Sequence, residues 1–391
     1  MWTLCSLVLT LAAAQEPKKM DPGAHPGVDP RRVARAIEKG INFLKTSDSP
    51  GHNSSKSADE LILLTFLHAG AEKEARFVEL FNKMLQAPLE STYSVALQAM
   101  VLEEFDRVKY QPRIHQCAQF LLDNMCANGQ WSYGTPTTYP GATDVPRGEI
   151  ETAPVRKPPT KPKVLNFAEP EGQRVKPRVV ARLGVKKNRD GPATGDNSNS
   201  QYAALGIRAC HDSGIVFPRD VIDRARKHWL DSQEKSDKNA VATGGTGIPR
   251  GWGYSAAEGN AYGSMTAGGI GAVCIYDFIL GIDFKKDSAA LDGIAWLAKN
   301  MIVTDNPNRA GWFHYYYLYG LERAGMLFDT ARMGAHDWYL EGANLLLSQQ
   351  RADGAWGSED KLNPPAWGTC FAILFLKQAT RRLDVASTDR K

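Results

Sequence analysis

The sequence predicts an all-α protein, an (α/α)6 toroid with six outer and six inner helices. Three observations predict it. Amphipathic segments alternate with segments that are apolar on nearly every side. The alternation repeats six times at a period of roughly 50 residues, which is how stacked repeats appear in sequence. A glycine followed by tryptophan recurs after the amphipathic segments. A helix apolar all round needs cover on all sides. An open stack would leave one side of each such helix in water, whereas a closed ring buries them all.

The pairs run in order. RRVARAIEKGINFLKT is followed by DELILLTFLHAG, and KEARFVELFNKML by YSVALQAMVLEEF. The third pair is RIHQCAQFLLDNM and YAALGIRAC, interrupted by an insertion over residues 134–195. DVIDRARKHWLDSQEK precedes MTAGGIGAVCIYDFIL, SAALDGIAWLAKNM precedes YYYLYGLERAGML, and DWYLEGANLLLSQQ precedes FAILFLKQA. The domain therefore spans 30–380, with a leader over 15–29 and a polar tail over 381–391.

The joints carry Trp131, Gln233, Trp252, Trp312, Gln350, Gly354 and Trp356. A Gln at the end of an outer helix stands where backbone carbonyls lack partners. Its amide can serve those carbonyls or the start of a neighbouring inner helix. Gly354 can take the positive φ that stops a helix. The Trp can stack over the Gln and seal the joint. These residues read as structural mortar.

The pattern Gln-x-x-x-Asp-Gly-x-Trp, read here as Gln349 or Gln350 to Trp356, resembles the QW motif of the terpenoid cyclase and protein prenyltransferase superfamily. DNSNSQYAALGI, YYYLYGLERAGML, HDWYLEGANLLL and GTCFAILFLKQAT look like exported bacterial proteins of planctomycete type with prenyltransferase/squalene-oxidase repeats. The resemblance covers 30 to 380 apart from the insertion. It implies the toroid fold and a ligand in its central cavity. It does not carry an activity across. The cyclase acid Asp-x-Asp-Asp and the magnesium motif Asp-Asp-x-x-Asp are absent, and Gly368-Thr369-Cys370 stands where zinc-binding Asp-x-Cys would. No metal or cofactor is called for.

Residues 1–14 are apolar and end in small residues, with Ala12 and Ala14 at the −3 and −1 positions of a signal-peptidase site. The expectation is an exported, soluble protein with no other segment long enough to span a bilayer. Without Cys5, five cysteines remain, an odd number with no Cys-x-x-Cys spacing. Buried free thiols fit this better than a disulfide framework. Cys117 and Cys126 are expected on one helix, on opposite faces. The net charge of +4 is too small to imply a nucleic-acid partner. The charge is uneven, with eleven Lys or Arg against two Glu between 155 and 189. That Pro-rich arm could meet an anionic surface or lie solvated on the toroid. Its apolar pieces VLNFA and RVVARLGV could pair as a hairpin.

The starts of the inner helices converge on one mouth, where aligned helix dipoles favour anions. The most polar start is Asp196-Asn197-Ser198-Asn199-Ser200-Gln201. One of these is explained by capping, and the cluster exceeds what capping needs. Asp196, Asn197, Asn199 and Gln201 are therefore candidates for a pocket. Thr266, His314, Tyr315, Trp367 and Cys370 start other inner helices and are expected nearby. Two classes of function follow. One is an enzyme acting on isoprenoids, or on glycans through paired carboxylates or a Tyr-His pair. The other is a non-catalytic binding or scaffold protein outside the cytoplasm. The ligand would be a small molecule, a lipid or a glycan.

Overall fold

The computed structural model describes residues 25–49, 58–139, 176–235, 247–255, 260–358 and 364–383. The signal segment, residues 15–24 of the leader, residues 140–175 of the insertion with VLNFA, and residues 384–391 lie outside the described residues.

Twelve α-helices are described. The outer ones are α1 (Pro30–Leu44), α3 (Ala75–Gln86), α5 (Gln111–Asp123), α7 (Arg219–Ser232), α9 (Ser288–Asn300) and α11 (Trp338–Gln349). The inner ones are α2 (Asp59–Ala69), α4 (Thr92–Asp106), α6 (Asn197–Asp212), α8 (Gly263–Leu280), α10 (His314–Leu327) and α12 (Pro365–Leu376). Each inner helix packs against the next, and α12 packs against α2, so the ring closes. The protein is an all-α (α/α)6 toroid.

Sequence composition decides which ring a helix joins. Nearly every residue of α8 and α12 is buried, while α1 buries only Ala36, Gly40, Ile41 and Leu44. At eighteen residues, α8 is long and apolar enough to cross a membrane, which corrects the expectation that no such segment follows the signal. It lies buried in the inner ring instead.

Three joints share one construction. The indole nitrogens of Trp131, Trp252 and Trp356 donate to the carbonyls of Leu121, Trp229 and Leu346 near the ends of their own outer helices, at 2.7 to 2.8 Å. Their backbone N–H groups donate to hydroxyls of the following inner helices, Ser200, Thr266 and Thr369, at 3.0 to 3.1 Å. The Trp thus satisfies the orphan carbonyls of the helix end. The Gln reaches elsewhere. Gln233 donates to the carbonyl of Ala289 on α9, and Gln350 to that of Ala36 on α1. Each Gln links successive outer helices rather than finishing its own or starting an inner one. Gly354 has φ +91°, and a Cβ there would meet the carbonyl oxygen of Lys39 on α1.

Trp312 departs from this plan. It is 46 % exposed. Trp252 and Trp356 stand eleven and nine residues before their inner helices, whereas Trp312 stands two before α10 and lacks the chain to turn inward. The Arg309 guanidinium stacks over it instead, 5.2 Å from the ring centre.

The insertion and the ends are more integrated than expected. Leu183–Gly184 forms a parallel bridge with Ile215–Val216. Lys176 pairs with Glu103 and Glu104, and Lys187 and Arg189 bond to the end of α5. These three cations are engaged by the toroid itself. In the leader, His25 bonds Asp337 of α11 at 2.9 Å and Asp29 caps α1. The expected polar tail starts late. Thr380 N and Oγ1 donate to the two carboxylate oxygens of Glu322, Arg381 pairs with Glu104, and Leu383 is buried. This strap crosses the ring at the C-terminal ends of α4 and α10. Cys126 lies past the end of α5 and does not share a helix with Cys117, although both are buried free thiols.

Candidate functional site

The first turns of α4, α6 and α10 meet at the mouth. Tyr93 Oη lies within hydrogen-bond distance of Ser198 Oγ, Ser198 Oγ is 2.9 Å from Tyr316 Oη, and the two tyrosine hydroxyls are 3.5 Å apart. In a ring of six, α4 and α10 face each other, so this contact spans the axis. The three side chains are half-buried. Below them Gln201 donates to Tyr316 Oη at 2.6 Å and accepts from Arg323 Nη2 at 3.0 Å. Arg323 is buried between the faces of Tyr319 and Tyr202, 4.4 and 5.1 Å from their centres. Burial pushes the Tyr316 phenol up, so it stays a neutral hydroxyl.

The fold has made room for this string. A Cβ on Gly268 of α8 would overlap the Gln201 amide. Aromatic rings continue outward, with Tyr316 near Phe313 at 6.4 Å and Phe313 near Trp312 at 6.1 Å. Phe313 holds φ 52°, the left-handed region, immediately before α10.

Of the sequence candidates, Gln201 belongs to this group. Asp196 is the N-cap of α6, accepting from Asn199 N and Nδ2 at 2.8 Å each. Burial raises its carboxyl and those bonds oppose the rise. Asn199 is fully buried beside it. Asn197 accepts from Gln130 and His228 and donates to the carbonyl of Gly253, which makes it part of a joint. Thr266 is likewise a joint residue, as its bond to Trp252 shows.

His314 Nε2 donates to the carbonyl of Val303 at 2.7 Å, and burial lowers its pKa. Tyr315 bonds to the backbone of Gly357, in the loop before α12. Trp367 is half-buried in the first turn of α12. Cys370 is buried against Thr65 of α2, and burial pushes its thiol up to about 12, which leaves it inert. His314, Tyr315 and Cys370 thus contact Val303, Gly357 and Thr65 respectively.

Tyr93, Ser198, Tyr316 and Arg323 complete the site. The signal for Arg323 is the Glu-Arg pair inside YYYLYGLERAGML, two charges in a helix that is otherwise apolar. Among the described residues no three His, Cys, Asp or Glu side chains cluster as metal ligands.

No protein-family profile matches the chain, and no curated protein does either. Among solved structures, the chain is similar to a possible GH105 family member from Salmonella enterica serovar Paratyphi A. That match has 9% identity and TM-score 0.48, and covers 95% of this chain and 98% of that one. It is also similar to the type II terpene cyclase MstE from Scytonema, at 11% identity and TM-score 0.46, covering 89% and 99%. Both scores lie under 0.5, and neither resemblance bears on what this chain binds or does.

Proposed function

We propose that this protein is a ligand-binding toroid that holds a small organic molecule, a lipid or a glycan unit at the mouth of its inner ring. The observation that carries the reading is the half-buried hydroxyl group of Tyr93, Ser198 and Tyr316 above the buried Arg323. Hydroxyls and a guanidinium are costly to collect inside an apolar ring. The group that meets across the axis is made of hydroxyls, an amide and a guanidinium, side chains that hold a ligand by hydrogen bonds. Residues 1–14 read as an export signal, which supports an encounter outside the cytoplasm.

Native mass spectrometry of protein purified from its host tests the reading. We expect a non-covalent mass that denaturation removes and that a Ser198→Phe variant, filling the mouth, does not carry. A wild-type protein free of any such mass, or a Ser198→Phe variant that carries it unchanged, would refute the proposal.

A further inference from the structure

The string of side chains at the mouth has a direction. A guanidinium can only donate hydrogen bonds. Arg323 Nη2 donates to Gln201 Oε1, so the Gln201 amide must present its nitrogen to Tyr316 Oη. Tyr316 accepts that bond, and its own proton can go to Ser198 Oγ at 2.9 Å. Ser198 can in turn donate to Tyr93 Oη. In that arrangement the Tyr93 proton meets only the long 3.5 Å contact with Tyr316 Oη, at the half-buried end. Hydrogen bonds in series polarise one another, so the buried cation strengthens the donor at the mouth.

Among the described residues the charge at the other end has no ion pair, although Glu322 acts on it from beside and Tyr202 bonds to it. Arg323 is 2% exposed, its Nη1 has no hydrogen-bond partner, and its neighbour Glu322 spends both oxygens on Thr380. The ring faces beside it soften this without cancelling the charge. The first turns of α4, α6 and α10 add their positive dipole ends at the same place. Carboxyls near these helix starts include Glu60 on α2, raised by burial to about 7 and bonded to Ser94, and Asp196. Asp196 is turned into its own helix cap and bonded to Asn199 and to the Tyr254 hydroxyl.

From this we infer that the mouth takes an organic carboxylate, one oxygen accepting from Tyr93 Oη–H and the apolar body lying along Tyr316 and Phe313. The inference rests on the ligand-binding reading and adds the chemical class. Calorimetric titration of the full chain with benzoate, with benzyl alcohol as its uncharged counterpart and with inorganic phosphate tests it. Benzoate should bind at least tenfold tighter than benzyl alcohol.

Tyr93→Phe removes the terminal donor, together with the oxygen that Ser198 bonds, and should cost benzoate at least tenfold while leaving benzyl alcohol unchanged. Gly268→Ala displaces Gln201 and should narrow the gap between the two probes. Equal affinities, no saturable benzoate binding, or an indifferent Tyr93→Phe would overturn the inference. Phosphate binding as tightly as benzoate would also overturn it, in favour of a tetrahedral anion. If benzoate fails while host-purified protein carries a neutral ligand, the carboxylate class alone falls. If the host-purified protein is also empty, the binding reading falls with it.

Discussion

At the scale of single residues, the three joint tryptophans are each fully buried and bonded at both nitrogens. Trp356 is fully buried, and its indole and backbone nitrogens are both bonded. Trp356→Ala should cost about 3 to 5 kcal/mol in urea unfolding, through lost burial and a cavity. Trp356→Phe keeps most of the ring but strands the Leu346 carbonyl, for about 1 to 3 kcal/mol. Trp312→Ala, at the exposed counterpart, should stay within about 0.5 kcal/mol. A costly Trp312→Ala would mean that the fifth joint is built like the others.

Glu322 supplies a pH dependence. Burial lifts its pKa from 4.5 to about 7 against the bonds from Thr380. Between those values the folded chain holds a proton that the unfolded chain releases. Stability should therefore fall as pH rises through that window and stay lower above it, by roughly 3 kcal/mol. Glu322→Gln can keep both contacts with Thr380 and should flatten that slope. A slope unchanged in the variant would assign it to other groups.

At the scale of elements, the helices are legible in the sequence because each ring imposes its own pattern. The α8 and α12 segments are apolar all round because neighbours cover every side. The strap over 378–383 is not legible. The sequence reads Gln378 and Ala379 as helix and Arg381 onward as a polar tail, and only the partners reveal their use. Arg323 is hidden for a related reason. A charge in a buried helix can be recognised, but the tyrosine faces and the glutamine that receive it lie on separate segments. The polar run at Asp196 is conspicuous and mostly structural, because a cap and a joint fall on the same few residues.

Deleting Ala379–Lys391 should remove both donors to Glu322 and cost at least about 3 kcal/mol. Arg381→Ala should cost under about 1 kcal/mol, since Glu104 keeps Lys176. Thermal unfolding of the two variants checks the contrast, and similar losses would show that the strap works by charge alone.

At the scale of the whole molecule, closure depends on the meeting of the first and last pairs. Gln350 bridges that seam, donating to Ala36 on α1 and to Gly354 in its own loop, at 2.8 and 2.9 Å. Gln350→Ala should cost about 1 to 2 kcal/mol. Hydrogen exchange should quicken in α1 while α5 and α7 keep their protection. Uniform acceleration around the ring would show instead that the toroid opens only as a unit. The contact of Tyr93 with Tyr316 across the axis has a further consequence. It fastens helices that stand half a ring apart, so a shift of α4 at this end is felt on α10 as well as on its neighbours.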